Sequence, residues 1–166
     1  MELRQYISSK DFDIIKNWIE DERTHAMWCA GRFEYPLDKE NFETVLHTMV
    51  SQWGDTPLVA TNDDGSCAGF FCYSYNNENH EGMLKFFVVN PEFRGKGVAR
   101  QMLELASRYA FGKNGAVALQ LNVFSDNIRA RKCYQKAGFT ERRVTKNAFS
   151  FMDESWDRVN MVRSEF

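Results

Sequence analysis

The pattern of apolar and polar residues predicts one strand and two helices in the first third of the chain. Residues 2–6 alternate polar and apolar side chains, as an edge strand does. Apolar side chains then recur at helical spacing in two stretches, first at Phe12, Ile15, Trp18 and Ile19, and then at Phe42, Val45, Leu46, Met49 and Trp53. Asp38 is the predicted N-cap of the second helix, which ends before Gly54. Residues 21–37 are rich in aromatic side chains but show no period, so we predict a loop there.

The remaining two thirds of the chain predict a strand meander followed by alternating strands and helices. Residues 58–61, 67–75 and 81–89 are the expected strands of the meander, joined by turns at 62–65 and 76–79 that are rich in Asn, Asp and Gly. A helix follows, with a stripe made of Val98, Met102, Leu105, Ala106 and Tyr109. Residues 117–124 alternate as a strand, which predicts a right-handed parallel crossover. A helix over 127–137 and strands at 139–145 and 156–162 complete the order β-α-α-β-β-β-α-β-α-β-β.

Length and composition indicate one soluble globular domain over residues 1–166. The chain is 43% hydrophobic and 27% charged, and no run approaches the roughly 18 apolar residues of a membrane span. The N-terminus lacks the apolar core of a signal peptide, so we expect a cytoplasmic protein with no membrane partner. The cysteines are scattered, which favours reduced, mostly buried thiols and no metal site. The net charge of −2 argues against direct nucleic-acid binding and fits a cationic partner somewhat better than an anionic one.

The stretch FVVNPEFRGKGVA, residues 87–99, is the first candidate for chemistry. An apolar strand breaks at Pro91, and a helix begins after Gly95 and Gly97, which allow left-handed backbone. Successive N–H groups and the positive end of a helix dipole can hold an anion there, and Arg94 and Lys96 add charge. We interpret the turn as a phosphate cradle, although such a turn is also common on protein surfaces. It lacks the third small residue of the dinucleotide fingerprint and the Gly-Lys-Ser/Thr of a nucleotide P-loop.

A second candidate lies in residues 119–139, where an apolar strand precedes Asn127, Ala130, Tyr134, Gly138 and Phe139. Asn127 and Tyr134 are two helical turns apart and so share a face, with the small Ala130 between them. This face forms a trough in which a flexible arm could lie. The alternative is a capping Asn and a half-buried core Tyr.

Together the two stretches resemble the GNAT superfamily of N-acetyltransferases. Arg94-x-x-Gly97-x-Ala99 is similar to its pyrophosphate-binding motif, and the spacing from Asn127 to Phe139 is similar to its other long motif. The overall layout resembles the ribosomal-protein N-terminal acetyltransferase group most. The resemblance implies an α/β (α+β) fold with a mixed central sheet and helices on both faces. It also implies that the fourth and fifth strands, residues 81–89 and 117–124, splay apart around the pantetheine arm.

The resemblance assigns acetyl-CoA as the cofactor and proposes the residues that hold it. Backbone groups of Phe87, Val88 and Val89 would hold the pantetheine arm, and one N–H there would polarise the thioester carbonyl. The pyrophosphate would be bound by Arg94, Gly95, Lys96, Gly97, Val98 and Ala99, and Asn127 and Tyr134 would complete the site.

Tyr134 is the candidate general acid, because a phenol with a pKa of about 10 keeps its proton at neutral pH. The alternative is that Tyr134 only positions the thiol. Glu81 is the candidate base, since it begins the cofactor strand where histone-type members of the family carry a catalytic glutamate. His80, His25, Glu22 and ordered water remain open as alternatives.

The predicted function is transfer of an acetyl group from acetyl-CoA to a primary amine by direct attack. The acceptor is either a protein N-terminal α-amine or a small molecule such as a polyamine or an antibiotic. Acyl chains other than acetyl stay open, and so does the choice between monomer and homodimer. The competing hypothesis is a catalytically silent acyl-CoA sensor or interaction module. The presence of both Asn127 and Tyr134 favours the enzyme.

Overall fold

Seven strands form one mixed sheet in the order β1-β2-β3-β4-β5-β7-β6 in the computed structural model, which describes residues 1–165. The strands are β1 (Glu2–Gln5), β2 (Thr56–Thr61), β3 (Cys67–Asn76), β4 (Glu81–Val89), β5 (Ala118–Phe124), β6 (Thr140–Phe151) and β7 (Glu154–Ser164). β4 and β5 pair in parallel, whereas β1–β2, β2–β3, β5–β7 and β6–β7 pair antiparallel. The predicted mixed sheet is confirmed, and its seven strands occur at the predicted places along the chain, although three α-helices instead of two precede β2.

Five α-helices connect the strands: α1 (Ser8–Ile15), α2 (Glu22–Cys29), α3 (Lys39–Trp53), α4 (Val98–Arg108) and α5 (Ile128–Lys136). A 3₁₀ turn over Pro91–Phe93 precedes α4, and a π-helical turn over Tyr109–Lys113 follows it. The caps predicted for α3 are present: the Asp38 side chain accepts from the backbone N–H of Asn41, and Gly54 ends the helix at φ +68°. None of the helices in residues 1–165 is long and apolar enough to cross a membrane.

The prediction of a loop over residues 21–37 was wrong in its first part, where the chain forms α2. The Asp21 carboxylate accepts from both the N–H and the hydroxyl of Thr24, at 2.8 and 2.7 Å, and so caps this helix. The buried side chains of α2 are His25, Ala26 and Cys29, which carry too little apolar character to show a helical period. Ala30 ends the helix in the left-handed conformation.

The chain divides into two compact units, of which the first comprises Met1–Ser74 and Lys85–Val98. Its core contains a cluster of packed aromatic rings. The Phe33 ring lies 4.7 Å from the rings of both Phe42 and Phe86, and Phe42 contacts Phe70 at 5.9 Å. Rings packed at tilted angles over such distances stabilise a core beyond the area that they bury.

A buried ion pair joins β1 to α1 within the first unit. The Arg4 guanidinium donates to both oxygens of Asp11, at 2.7 and 2.8 Å, and the N–H of Ile7 donates to the same carboxylate. The Asp11 side chain is fully buried, and the Arg4 side chain is 24% exposed. A carboxylate withdrawn from water in this way depends on its partners, because removing them leaves an uncompensated charge.

The second unit comprises Tyr75–Leu84 and the chain from Ala99 onward. In it, Glu81–Leu84 of β4 pair with Ala118–Leu121 of β5, and β7 lies between β5 and β6. Helix α4 buries Met102, Leu103 and Ala106 completely. A separate aromatic cluster surrounds Trp156 and contains Phe124, Phe149 and Phe151.

We expect Asp11→Asn to lower the free energy of unfolding by about 3 kcal/mol, because Arg4 then loses its charged, bidentate partner. Urea unfolding measures this change. The matched control is Asp13→Asn on the same helix, where the Asp13 side chain is 71% exposed and pairs with Lys16. This control should behave almost as wild type, since exposed pairs contribute little. Equal losses in the two variants would contradict the stabilising role of the Arg4–Asp11 pair.

Candidate active site

Strand β4 contains one residue in a conformation that strands do not normally adopt. Phe86 has φ +54°, in the left-handed region, which costs a residue with a Cβ about 1–2 kcal/mol. The indole N–H of Trp28 donates to the Phe86 carbonyl at 2.9 Å, and the Phe86 side chain is buried. The hydrogen bond and the burial of the ring together offset the strain.

The strand is also fixed one residue earlier, at Lys85. The Lys85 ammonium donates to both oxygens of Asp55, at 3.0 and 3.1 Å, and the Asp55 side chain is fully buried. Burial raises the pKa of Asp55, while the Lys85 charge opposes that shift. The ladder between β4 and β5 ends at Leu84, although β4 continues to Val89. Divergence of the two strands beyond this point remains a prediction, as does pantetheine binding by Phe87, Val88 and Val89.

Asn90 anchors the turn that follows β4, a role that the sequence analysis missed. Its side-chain amide donates to the Cys67 carbonyl at 2.9 Å, and its backbone N–H donates to the Ala68 carbonyl at 2.8 Å. Its side-chain oxygen accepts from the N–H of Glu92 at 3.1 Å. An Asn directly before Pro was the available signal, since such pairs favour the start of a turn.

The turn itself has the features expected of a diphosphate site. Gly95 and Gly97 have φ of +76° and +77°, and a Cβ built on either would contact nothing within 4 Å. Glycine is therefore required at both positions by the backbone conformation, and the space beside each is open. Arg94 and Lys96 are exposed, and the first turn of α4 contains no acidic residue. Because the first N–H groups of a helix have no intrahelical acceptor, these residues fit a bound diphosphate.

In the second unit, Asn127 and Tyr134 occupy the two ends of α5. The Asn127 side chain accepts from the N–H of Ala130 at 3.3 Å and so caps the helix, which is the structural alternative that the sequence left open. Tyr134 is only 8% exposed, and its ring lies edge-on to Phe139 at 6.2 Å. Burial raises the pKa of Tyr134 well above its usual value, so the phenol keeps its proton throughout the neutral range. Contacts of either residue with a cofactor remain a prediction.

The Glu81 carboxylate is held in a network that sequence reasoning missed. It accepts from Gln120 at 2.7 Å and from Arg142 at 2.8 and 3.1 Å, so both of its oxygens are engaged. Arg142 also donates to Asn160 at 2.9 Å. No motif marks Arg142, because the pair that it forms with Glu81 spans 61 positions of the chain. Both oxygens of the candidate base therefore already accept hydrogen bonds from side chains of the protein.

Two of the other candidate bases, His25 and His80, have hydrogen-bond partners in the protein. His25 is buried, and its Nε2 donates to the Phe33 carbonyl at 2.9 Å, which accounts for this side chain without catalysis. The Nδ1 of His80 lies 2.9 Å from the Tyr75 hydroxyl, in the turn between β3 and β4. Glu22 is exposed in the first turn of α2. Among residues 1–165, no group of three His, Cys, Asp or Glu side chains is arranged to hold a metal ion.

Comparison with known proteins identifies the family and the fold. A family model described as "Acetyltransferase (GNAT) family" matches residues 12–139. An uncharacterised N-acetyltransferase of Archaeoglobus fulgidus is 28% identical over 139 residues, covering 81% of this chain and 89% of that protein. The streptothricin acetyltransferase of Streptomyces lavendulae is 36% identical over 82 residues, covering 49% of this chain but only 43% of its own length. The fold is similar to that of the spermidine N-acetyltransferase from Vibrio cholerae in complex with CoA and spermine, with a TM-score of 0.82, 21% identity and coverage of 98% and 94%.

We expect Gly97→Glu to abolish the rise in melting temperature that acetyl-CoA gives the wild-type protein, because the new side chain brings bulk and negative charge into the turn. Thermal shift with and without acetyl-CoA measures this effect. The matched control is Gly65→Glu, in the turn between β2 and β3, where φ is +84° and the space is equally open. Both variants carry the same backbone strain, so both should melt earlier than wild type, but only Gly65→Glu should keep the shift. A full shift in Gly97→Glu would exclude the turn as the anion site.

Proposed function

Because the chain belongs to the acetyltransferase (GNAT) family and is an acetyl-CoA-dependent N-acetyltransferase, we propose that its acceptor is a small amine with more than one positive charge. A polyamine is the simplest example of this class. The proposal rests chiefly on the charge of residues 20–43. The Vibrio cholerae spermidine N-acetyltransferase has a similar fold, which agrees with a polyamine acceptor. At this level of identity the likeness by itself shows only the fold.

Residues 20–43 carry seven carboxylates and three basic side chains, whereas the whole chain has a net charge of only −2. The carboxylates are Glu20, Asp21, Glu22, Glu34, Asp38, Glu40 and Glu43. The Tyr35 hydroxyl donates to the Glu20 carbonyl at 2.8 Å, and this bond draws the backbone beside Glu34 toward Glu20. A concentration of negative charge attracts a polycation and speeds its encounter with the protein.

In this proposal, acetyl-CoA supplies the acetyl group as a thioester. The backbone of Phe87, Val88 and Val89 holds the pantetheine arm, and residues 94–99 bind the diphosphate through N–H groups and the charges of Arg94 and Lys96. An N–H of β4 stabilises negative charge that develops on the carbonyl oxygen. Asn127, at the start of α5, supports the pantetheine arm together with the face of that helix.

Tyr134 is the proposed general acid on account of its place in the second motif. Burial raises the pKa of its phenol, so the proton is present across the neutral range, while the same shift makes the phenol a weaker donor to the departing thiolate. An amine with a pKa of about 10 must lose a proton before it attacks. We propose ordered water as the first acceptor of that proton, because the oxygens of Glu81 are already bound by Gln120 and Arg142.

A protein N-terminal α-amine, as in the ribosomal-protein N-terminal acetyltransferase group, is the second candidate acceptor. Its lower pKa, near 8, makes it easier to deprotonate. The layout of the N-terminal elements and of the last strands favours this candidate, but a neutral peptide makes little use of the carboxylates in residues 20–43. A catalytically silent acyl-CoA sensor would retain the diphosphate turn without turning over any amine.

We expect a thiol-release assay to show kcat/KM for spermidine and spermine at least tenfold above that for butylamine or a neutral peptide. Raising the salt concentration should narrow this difference, since exposed charges are screened. Glu20→Gln combined with Glu34→Gln should raise KM for the polyamines and leave that for butylamine unchanged. The matched control is Glu78→Gln with Asp153→Asn, which removes two exposed carboxylates from turns of the second unit. A preference for peptides would favour the N-terminal α-amine, and no turnover of any acceptor would favour the sensor.

A separate prediction concerns the proton donor. Tyr134→Phe should lower kcat by about 100-fold, the lower range for loss of a general acid, with little change in KM for acetyl-CoA. Because burial raises the pKa of Tyr134, wild-type kcat should show no alkaline decline below pH 10. Tyr109→Phe, which removes a hydroxyl from the turn after α4, is the control.

Glu81→Gln tests the base in the same assay. We expect it to cost less than tenfold in kcat, a loss below the usual range for removal of a general base. A larger loss, together with a shifted acidic limb of the pH profile, would make Glu81 the base instead of ordered water.

A further inference from the structure

The left-handed residue in β4 is held from two directions within the first unit. Trp28, on α2, donates its indole N–H to the Phe86 carbonyl at 2.9 Å. Lys85, the preceding residue, is held by two hydrogen bonds to the buried Asp55. Two consecutive residues of β4 are therefore fixed by side chains from α2 and from the residue just before β2.

Ring packing fixes the indole itself. The Trp28 ring contacts Phe33 at 5.4 Å and Phe86 at 6.0 Å, and His25 lies edge-on to it at 5.8 Å. The indole therefore has little freedom to turn away from the carbonyl that it binds. The structure places the N–H of this fixed ring on the Phe86 backbone.

The conformation of Phe86 governs the direction of the backbone that follows it. A left-handed φ in an otherwise extended strand turns the next peptide groups away from the regular ladder, as in a β-bulge. The next peptide groups are those of Phe87 and Val88, which the proposed function assigns to the pantetheine arm and the thioester carbonyl. A donor that stabilises a developing oxyanion must be fixed before the reaction begins.

We infer that Trp28 is a positioning residue for acetyl transfer, whose indole N–H fixes the left-handed Phe86 and thereby aims the following backbone N–H groups at the acetyl carbonyl. This inference rests on the proposed role of β4. It assigns a part in the reaction to α2, an element that carries no recognised motif and that the sequence analysis predicted to be a loop.

The test is Trp28→Phe, which keeps an aromatic ring and removes the donor. We expect kcat to fall about tenfold or more, less than for loss of an oxyanion donor itself, with KM for the amine acceptor within twofold of wild type. The matched control is Trp156→Phe in the second unit. The indole N–H of Trp156 donates to Glu154 at 3.2 Å, and its side chain is fully buried. This control removes the same group and should lower the melting temperature without lowering kcat.

Two measurements without an acceptor separate this inference from the proposed function. Amide hydrogen exchange at Phe87 and Val88 should be faster in Trp28→Phe, with exchange in β2 unchanged. Calorimetry should show weaker binding of acetyl-CoA, which has the carbonyl, with unchanged binding of CoA, which lacks it. If Trp28→Phe kept wild-type kcat and the wild-type ratio of acetyl-CoA to CoA affinity, the indole would be only structural and the inference would be overturned. If the wild-type protein failed to acetylate polyamines, the proposed acceptor would be wrong. The comparison of acetyl-CoA and CoA binding would still test the role of Trp28, because it needs no acceptor.

Discussion

The N–H groups at the start of α4, which have no intrahelical acceptor, are the constraint around which the stretch from β4 to α4 is organised. A polypeptide satisfies nearly all such groups in its ladders and helices, because a donor left without an acceptor costs free energy. The ladder of β4 with β5 ends at Leu84, and the first N–H groups of α4 have no intrahelical acceptor. Gly95 and Gly97 hold the intervening turn in the left-handed conformation that keeps it open. An anion with several oxygens is the natural partner for this set of donors.

Much of the surrounding structure serves to keep that backbone in place. Asn90 ties the base of the turn to β3 through two hydrogen bonds, while Trp28 and Asp55 fix the strand before it. Each of these bonds contributes only about 1 kcal/mol to stability, which is close to the cost of a single left-handed residue. The strained conformation at Phe86 therefore persists only because its neighbours determine it together.

The sequence predicted those elements whose signals are local. The turn at 76–79 and the break at Pro91 gave the bounds of β4 correctly at residues 81–89, and the caps at Asp38 and Gly54 gave those of α3 to within a residue. Helix α2 escaped prediction because its buried face contains His25, whose burial depends on a hydrogen bond to Phe33 formed only in the folded chain. The glycine turn and the Tyr134 helix were recognisable from their motifs. The bonds of Trp28 to Phe86 and of Arg142 to Glu81 link residues 58 and 61 positions apart, and no local pattern encodes such contacts.

The proposed site requires that amides of residues 94–99 bind the diphosphate of the coenzyme. An NMR titration can follow these amides with three ligands: CoA, 3′-phospho-ADP and pantetheine. We expect large shifts of the Gly95, Gly97 and Ala99 amides with CoA and with 3′-phospho-ADP, which both contain the diphosphate, and none with pantetheine. Shifts of equal size with pantetheine, or no shift of these amides with CoA, would show that the turn does not bind the diphosphate.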